Sequence, residues 1–136
     1  MKRNFLGILT AMTVALLISI PLSAQTIAKV TVPFDFTVGQ TQMSAGAYEI
    51  SAGHGVVVIR DTKAAATVMS IVNTEPSRNS DSSSKLVFNR YGDKYFLSQV
   101  SRAFSGGVMH LPTSKLEKEV RIASSSVPRK VVLAAK

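Results

Sequence analysis

The chain of 136 residues contains no cysteine and no tryptophan. Without cysteine there are no disulfides, no thiol catalysis and no cysteine-based zinc site, so packing alone must hold the fold. Histidine is almost as scarce, with only His54 and His110. A zinc centre needs three or four ligands, and two distant imidazoles make a poor start. Carboxylates are few: 8 Asp and Glu stand against 16 Lys and Arg, for a net charge of +8. There is no Gly-x-Ser-x-Gly elbow, and no glycine loop that would cradle a phosphate ahead of a helix. The local signatures of serine hydrolases and nucleotide-binding loops are therefore missing.

Only one long hydrophobic run is present. Lys2 and Arg3 precede it, Phe5 to Ile20 carries no charge, Pro21 breaks it, and Leu22-Ser23-Ala24 follows. A basic start, an apolar core and a small residue at the end make a cleavable export signal spanning residues 1–24. The run falls short of the roughly 20 apolar residues of a typical spanning helix, and an uncleaved anchor is the alternative reading. Cleavage near Ala24 lowers the net charge to +6 by removing Lys2 and Arg3. Residues 25–136 then form one domain, periplasmic or secreted, and a domain of about 110 residues buries roughly two-thirds of its unfolded surface.

What remains is patterned for strands. Val30, Val32, Phe34, Phe36 and Val38 alternate with Thr31, Pro33, Asp35 and Thr37. Strict period-2 alternation predicts a strand with one buried face, and Pro33 makes it an edge strand or a bulged one. A hairpin follows, 47–51 against 56–60 around Gly53-His54, with Ile50 opposite Val57 and Tyr48 opposite Ile59. Residues 65–73 read as a further β-branched strand, and 75–84 as a polar surface loop. A second hairpin, 85–91 against 94–100, turns at Gly92-Asp93. It sets Arg90 against Tyr95, Phe88 against Leu97 and Leu86 against Gln99, with Leu86, Phe88, Tyr95 and Leu97 inward and Arg90 over the Tyr95 ring. Ser114 and Glu117 form a capping-box pattern for one short helix over 114–123, with Leu116 and Val120 as its apolar stripe. Residues 129–136 are either a last strand or a disordered basic tail. The fold class expected is all-β, an antiparallel sandwich or small barrel of about six to eight strands with one short C-terminal α-helix.

Four motifs carry a likeness. They are Val32-Pro33-Phe34-Asp35-Phe36-Thr37-Val38-Gly39, Ser44-Ala45-Gly46-Ala47-Tyr48, Tyr91-Gly92-Asp93-Lys94-Tyr95-Phe96-Leu97 and Leu111-Pro112-Thr113-Ser114. Through them most of the mature chain resembles a family of small exported β-rich proteins of uncharacterised function, common in acidobacteria. The resemblance implies an exported β-domain with a short late helix. It brings no catalytic residue and no cofactor.

Candidate chemistry is thin. His54 falls in a turn, and His110 follows Met109, a pair of soft ligands of the kind that hold copper outside the cytoplasm. Basic side chains gather late, with Lys115, Lys118 and Arg121 on the helix and Arg129 and Lys130 after it. Outside the cytoplasm these would meet an anionic envelope component. Glu117 and Glu119 interleave with the helix lysines as on a solvated face, and no aromatic platform for nucleic acid accompanies them. No cofactor is called for. The leading expectation is an exported non-enzymatic envelope or secreted module that binds a ligand or protein partner. One alternative is an envelope hydrolase or metal-dependent enzyme using His54 or His110. Another is a structural assembly protein pairing through an edge strand such as 30–38.

Overall fold

Proline decides where the first strand ends. In the computed structural model, which describes residues 26–53, 55–76, 83–101 and 107–135, β1 (Thr26–Val32) stops immediately before Pro33, which has no N–H to give a ladder. The chain crosses to a second sheet and resumes as β2 (Phe36–Val38), which pairs with β3 (Thr41–Met43). The alternation over 30–38 thus marks two short strands in different sheets. Its apolar positions still face one core, with Val30, Val32, Phe36 and Val38 all buried. The expected export signal, His54 and most of the polar loop lie outside the described residues.

Sheet A runs β1, β4 (Gly46–Gly53), β5 (Val56–Asp61) and β6 (Thr67–Ile71). Its hairpin closes with Gly53 opposite Val56, and Gly55 takes φ +77°. The register therefore sits two residues from the expected one, with Ile50 opposite Ile59. A two-residue slip preserves side-chain parity, so Tyr48, Ile50, Val57 and Ile59 remain buried as the pattern required.

A second crossing falls at Val72, whose N–H donates to Gly55 O at 2.8 Å. It divides the single strand expected over 65–73 into β6 and β7 (Asn73–Pro76), which belongs to sheet B. Sheet B runs β11 (Arg129–Ala135), β8 (Ser84–Tyr91), β9 (Lys94–Ser101), β10 (Gly107–His110) and β7, and β2 lies parallel to β9 at Thr37 and Phe96. Of the two readings of 129–136, the strand is present, in register with β8 over 129–135. Eleven strands lie among the described residues, more than the expected number because two runs break and two short strands, β3 and β10, carried little pattern. The all-β fold with one C-terminal helix holds.

The second hairpin keeps Arg90 opposite Tyr95 and Phe88 opposite Leu97. A bulge at Val87/Phe88 then moves Leu86 from Gln99 to Val100. Between the sheets, Phe88 is fully buried and meets Phe34 and Phe36 edge-on at 5.2 and 5.5 Å. Tyr48 is buried beside Phe36, its hydroxyl satisfied by the Ser44 carbonyl. Each such side chain contributes about 1.5–3 kcal/mol by leaving water.

α1 (Lys115–Ser124) lies against the outer face of sheet B at β8. Ser114 caps it, accepting from the Glu117 N–H at 3.1 Å. The apolar stripe expected at Leu116 and Val120 does not anchor it. Leu116 is exposed, Val120 only half-buried, and the helix residue that is buried is Glu117, at 4 % exposure. Its carboxylate accepts from Asn89 Nδ2 at 2.8 Å and from the Tyr91 hydroxyl at 3.2 Å. No helix among the described residues is long and apolar enough to cross a membrane.

Candidate binding rim at the second hairpin

Three side chains line up across sheet B where the sandwich opens to solvent. Arg129 on β11 stands directly opposite Arg90 on β8, and Arg90 directly opposite Tyr95 on β9. Directly paired residues share a sheet face, and two positions inward the same row is Val131, Phe88 and Leu97. The rim is therefore an extension of the core row with its chemistry changed from apolar to cationic and aromatic.

Two of the three are held from behind. Phe34, at the first crossing, stacks on Tyr95 with centroids 3.9 Å apart and planes 15° from parallel. The Arg90 guanidinium lies over the same ring at 5.3 Å, as the sequence pattern anticipated. Arg90 Nε also donates to Gly92 O at 2.6 Å, which fixes the head group against the turn. Gly92 itself takes φ +60°, the left-handed conformation that a two-residue turn needs there.

Two clefts flank this turn. One, of about 240 Å³, lies between β2, the start of β9 and the start of α1, and mixes Asp35, Asp93 and Lys94 with Tyr95, Phe96 and Leu116. Leu116, left exposed by the helix, forms part of its wall. The other, of about 260 Å³, is lined by Arg90, Gly92, Ser126, Val127 and Arg129. No carboxylate lines it, and among the described residues neither arginine has a carboxylate within ion-pair distance.

The remaining candidates separate. Met109 is buried in the core, whereas His110, the next residue on the strand, faces the other way. The two cannot converge on one metal. His110 Nε2 instead approaches Glu75 Oε2 at 3.6 Å on the open β10–β7 edge and lines neither cleft. No group of three or more His, Asp or Glu side chains among the described residues could hold a metal ion. Lys115, Lys118, Arg121, Arg129 and Lys130 are all exposed. Only Arg129 joins a site, because its partner Arg90 comes from a strand far away in sequence. Lys130 points to the opposite face, beside Asn89. Phe34, Arg90 and Tyr95 are the rim residues that sequence patterning did not assign to a site; the alternation starting at Arg129, with Val131 and Leu133 on the same side, was the available signal.

Carboxylates elsewhere are structural. Asp61 accepts from the Lys63 and Ala64 N–H groups at 2.8 and 3.1 Å, and these bonds hold its carboxyl below the usual range. Glu49 faces Lys29 at 3.2 Å on the outer surface of sheet A. Comparison with known proteins found no matching family model, no matching curated protein and no matching solved structure.

Proposed function

We propose that this chain is an exported, non-enzymatic envelope or secreted module that binds a ligand or partner at the rim of its second hairpin. The observation that carries this reading is the pair of clefts on either side of one tight turn. Tyr95 is fixed by stacking and Arg90 by a backbone hydrogen bond before any ligand arrives, and preorganisation of that kind lowers the cost of binding. The basic, apolar and small-residue pattern of residues 1–24 supports export, as does the resemblance to small exported β-rich proteins.

The test is thermal unfolding of the mature protein against metals, acidic glycans, anionic lipids and short oligonucleotides. A ligand at about 100 times its dissociation constant adds about 2.7 kcal/mol to stability. A selective rise in the midpoint, lost when Tyr95 is replaced by alanine, supports the rim. A flat response to every class would overturn the reading.

A second reading rests on a different surface. β6 is an outer strand of sheet A, free of charge and proline, and Met69 and Ile71 on it are 68 % and 76 % exposed. They share a face with Val58 and Val56, their direct neighbours on β5. An uncharged edge with an apolar flank suits antiparallel pairing with a second copy. Sedimentation of the wild type against Met69→Lys tests it: the wild type should associate with rising concentration and the variant should not. A wild type that stays monomeric at high concentration rules the assembly out.

A further inference from the structure

Of the two clefts at the rim, the one beside β11 has an unusual charge arrangement. Arg90 and Arg129 are directly opposed across an antiparallel ladder, where paired Cα atoms stand roughly 4.5–5.5 Å apart. Like charges in that position oppose strand pairing. Opposite-charge neighbours are the common remedy, and neither guanidinium has one among the described residues. Both residues instead line a cleft that also contains Ser126 and has Val127, 92 % exposed, on its wall.

We propose that this cleft is an oxyanion site, and that it receives a phosphoryl group between Arg90 and Arg129 with the Ser126 hydroxyl as a further donor. The proposal rests on the reading of the rim as a binding surface and names the ligand chemistry for one of its clefts. Arginine suits the task because its planar fork of N–H donors matches the oxygens of a phosphate two at a time. Arg90 commits only its Nε, to Gly92 O, so its two terminal nitrogens remain available to an anion. Its hold on the turn and the Tyr95 ring sets the direction of those donors in advance. Arg129, exposed on β11, closes the other side. Val127 offers an apolar surface to whatever organic group the phosphate carries.

One feature opposes the anion. α1 ends at Ser124, and Ser125, the C-cap, sits beside the cleft residue Ser126. A helix C-terminus carries the equivalent of roughly half a negative charge, and that effect fades within a turn. Two full positive charges on the lining side chains outweigh it. A bound phosphoryl group would also remove the repulsion between the arginines, so ligand and β8–β11 pairing would stabilise each other.

The experiment is an NMR titration of the mature protein with inorganic phosphate, read on the Arg90 Nε–H and on the backbone amides of Ser126 and Arg129. Saturable shifts confined to these groups are expected. Arg129→Gln should weaken binding by about tenfold or more, the usual loss when one charge-assisted hydrogen bond is removed. Lys118→Gln, which removes a charge elsewhere, should leave it unchanged. Glycerol 3-phosphate and vesicles containing phosphatidic acid, run in parallel, distinguish a soluble ester from a lipid head group. Shifts without saturation, or equal weakening by both variants, would overturn the site as diffuse charge attraction. A saturable response to another probe around Asp35 and Lys94, with none at Arg90 and Arg129, would overturn the oxyanion site and leave the rim reading standing.

Discussion

Glu117 shows how one side chain can hold an element in place against its own solvation. A buried carboxylate is tolerated only when hydrogen bonds replace the water it loses, and Asn89 and Tyr91 supply them. Replacing Glu117 with alanine leaves both partners without an acceptor and should cost about 2–4 kcal/mol, seen as a lower urea midpoint. The same contact sets a pH dependence. Burial pushes the Tyr91 hydroxyl above its ordinary 10.0, and the neighbouring Glu117 charge pushes it further. Burial, followed by the charges of Asp61 and Asp35, does the same to Tyr48. In the unfolded chain these phenols ionise near pH 10, while in the fold they keep their protons. Their contribution is therefore complete below about pH 10 and is lost as pH rises through the folded values. Unfolding at increasing pH should show stability falling above about pH 10, and Glu117→Gln should bring the Tyr91 titration, followed by ultraviolet absorbance, back toward 10.0. Little of this was legible in sequence. The capping box gives the carboxylate a local role at the helix start, and only tertiary packing brings it against residues of the sheet.

At the scale of the element, alternation was a sound guide to faces and a poor one to sheets. Every alternating apolar position over 30–38 except Phe34 is buried, yet the run serves two sheets. A strand that leaves one sheet and enters the other can keep its inward parity throughout, so side-chain period alone does not show the crossing. Turn chemistry was more informative. Gly92-Asp93 was placed correctly, whereas the first turn fell one residue late, at the glycine with positive φ. The left-handed backbone at Gly92 predicts that Gly92→Ala destabilises by about 1–2 kcal/mol, a penalty of conformation rather than space, since nothing lies near an added Cβ. Ser114→Ala should cost about 1 kcal/mol through loss of the helix cap. Equilibrium unfolding measures both. The candidate site hid at this scale too, because Arg129 meets Arg90 only if residues 129–135 form a strand in this register.

For the molecule as a whole, composition delimits the chemistry and topology places what is left. The lack of cysteine and the shortage of histidine narrowed the options early. The cationic cleft beside β11 depends on which strands became neighbours, and that follows from the pairing of β11 with β8. Deleting residues 129–136 tests the pairing directly. Val131, Leu133 and Ala135 pack against the core, so the truncated chain should lose several kcal/mol and unfold with reduced cooperativity. Loss of a mere tail would leave the urea midpoint unchanged.

The two crossings, at Pro33 and at Val72, also mean that neither sheet is built from a continuous piece of chain. Sheet B draws β2, β3 and β7 from the chain up to Pro76 and β8 to β11 from after Ser83, and the two sets are joined by β7 with β10 and by β2 with β9. A protease that severed the backbone between those residues would not free two halves. The fragments would co-elute as one particle, and expressed separately they would be a matched pair able to find each other and rebuild the sandwich.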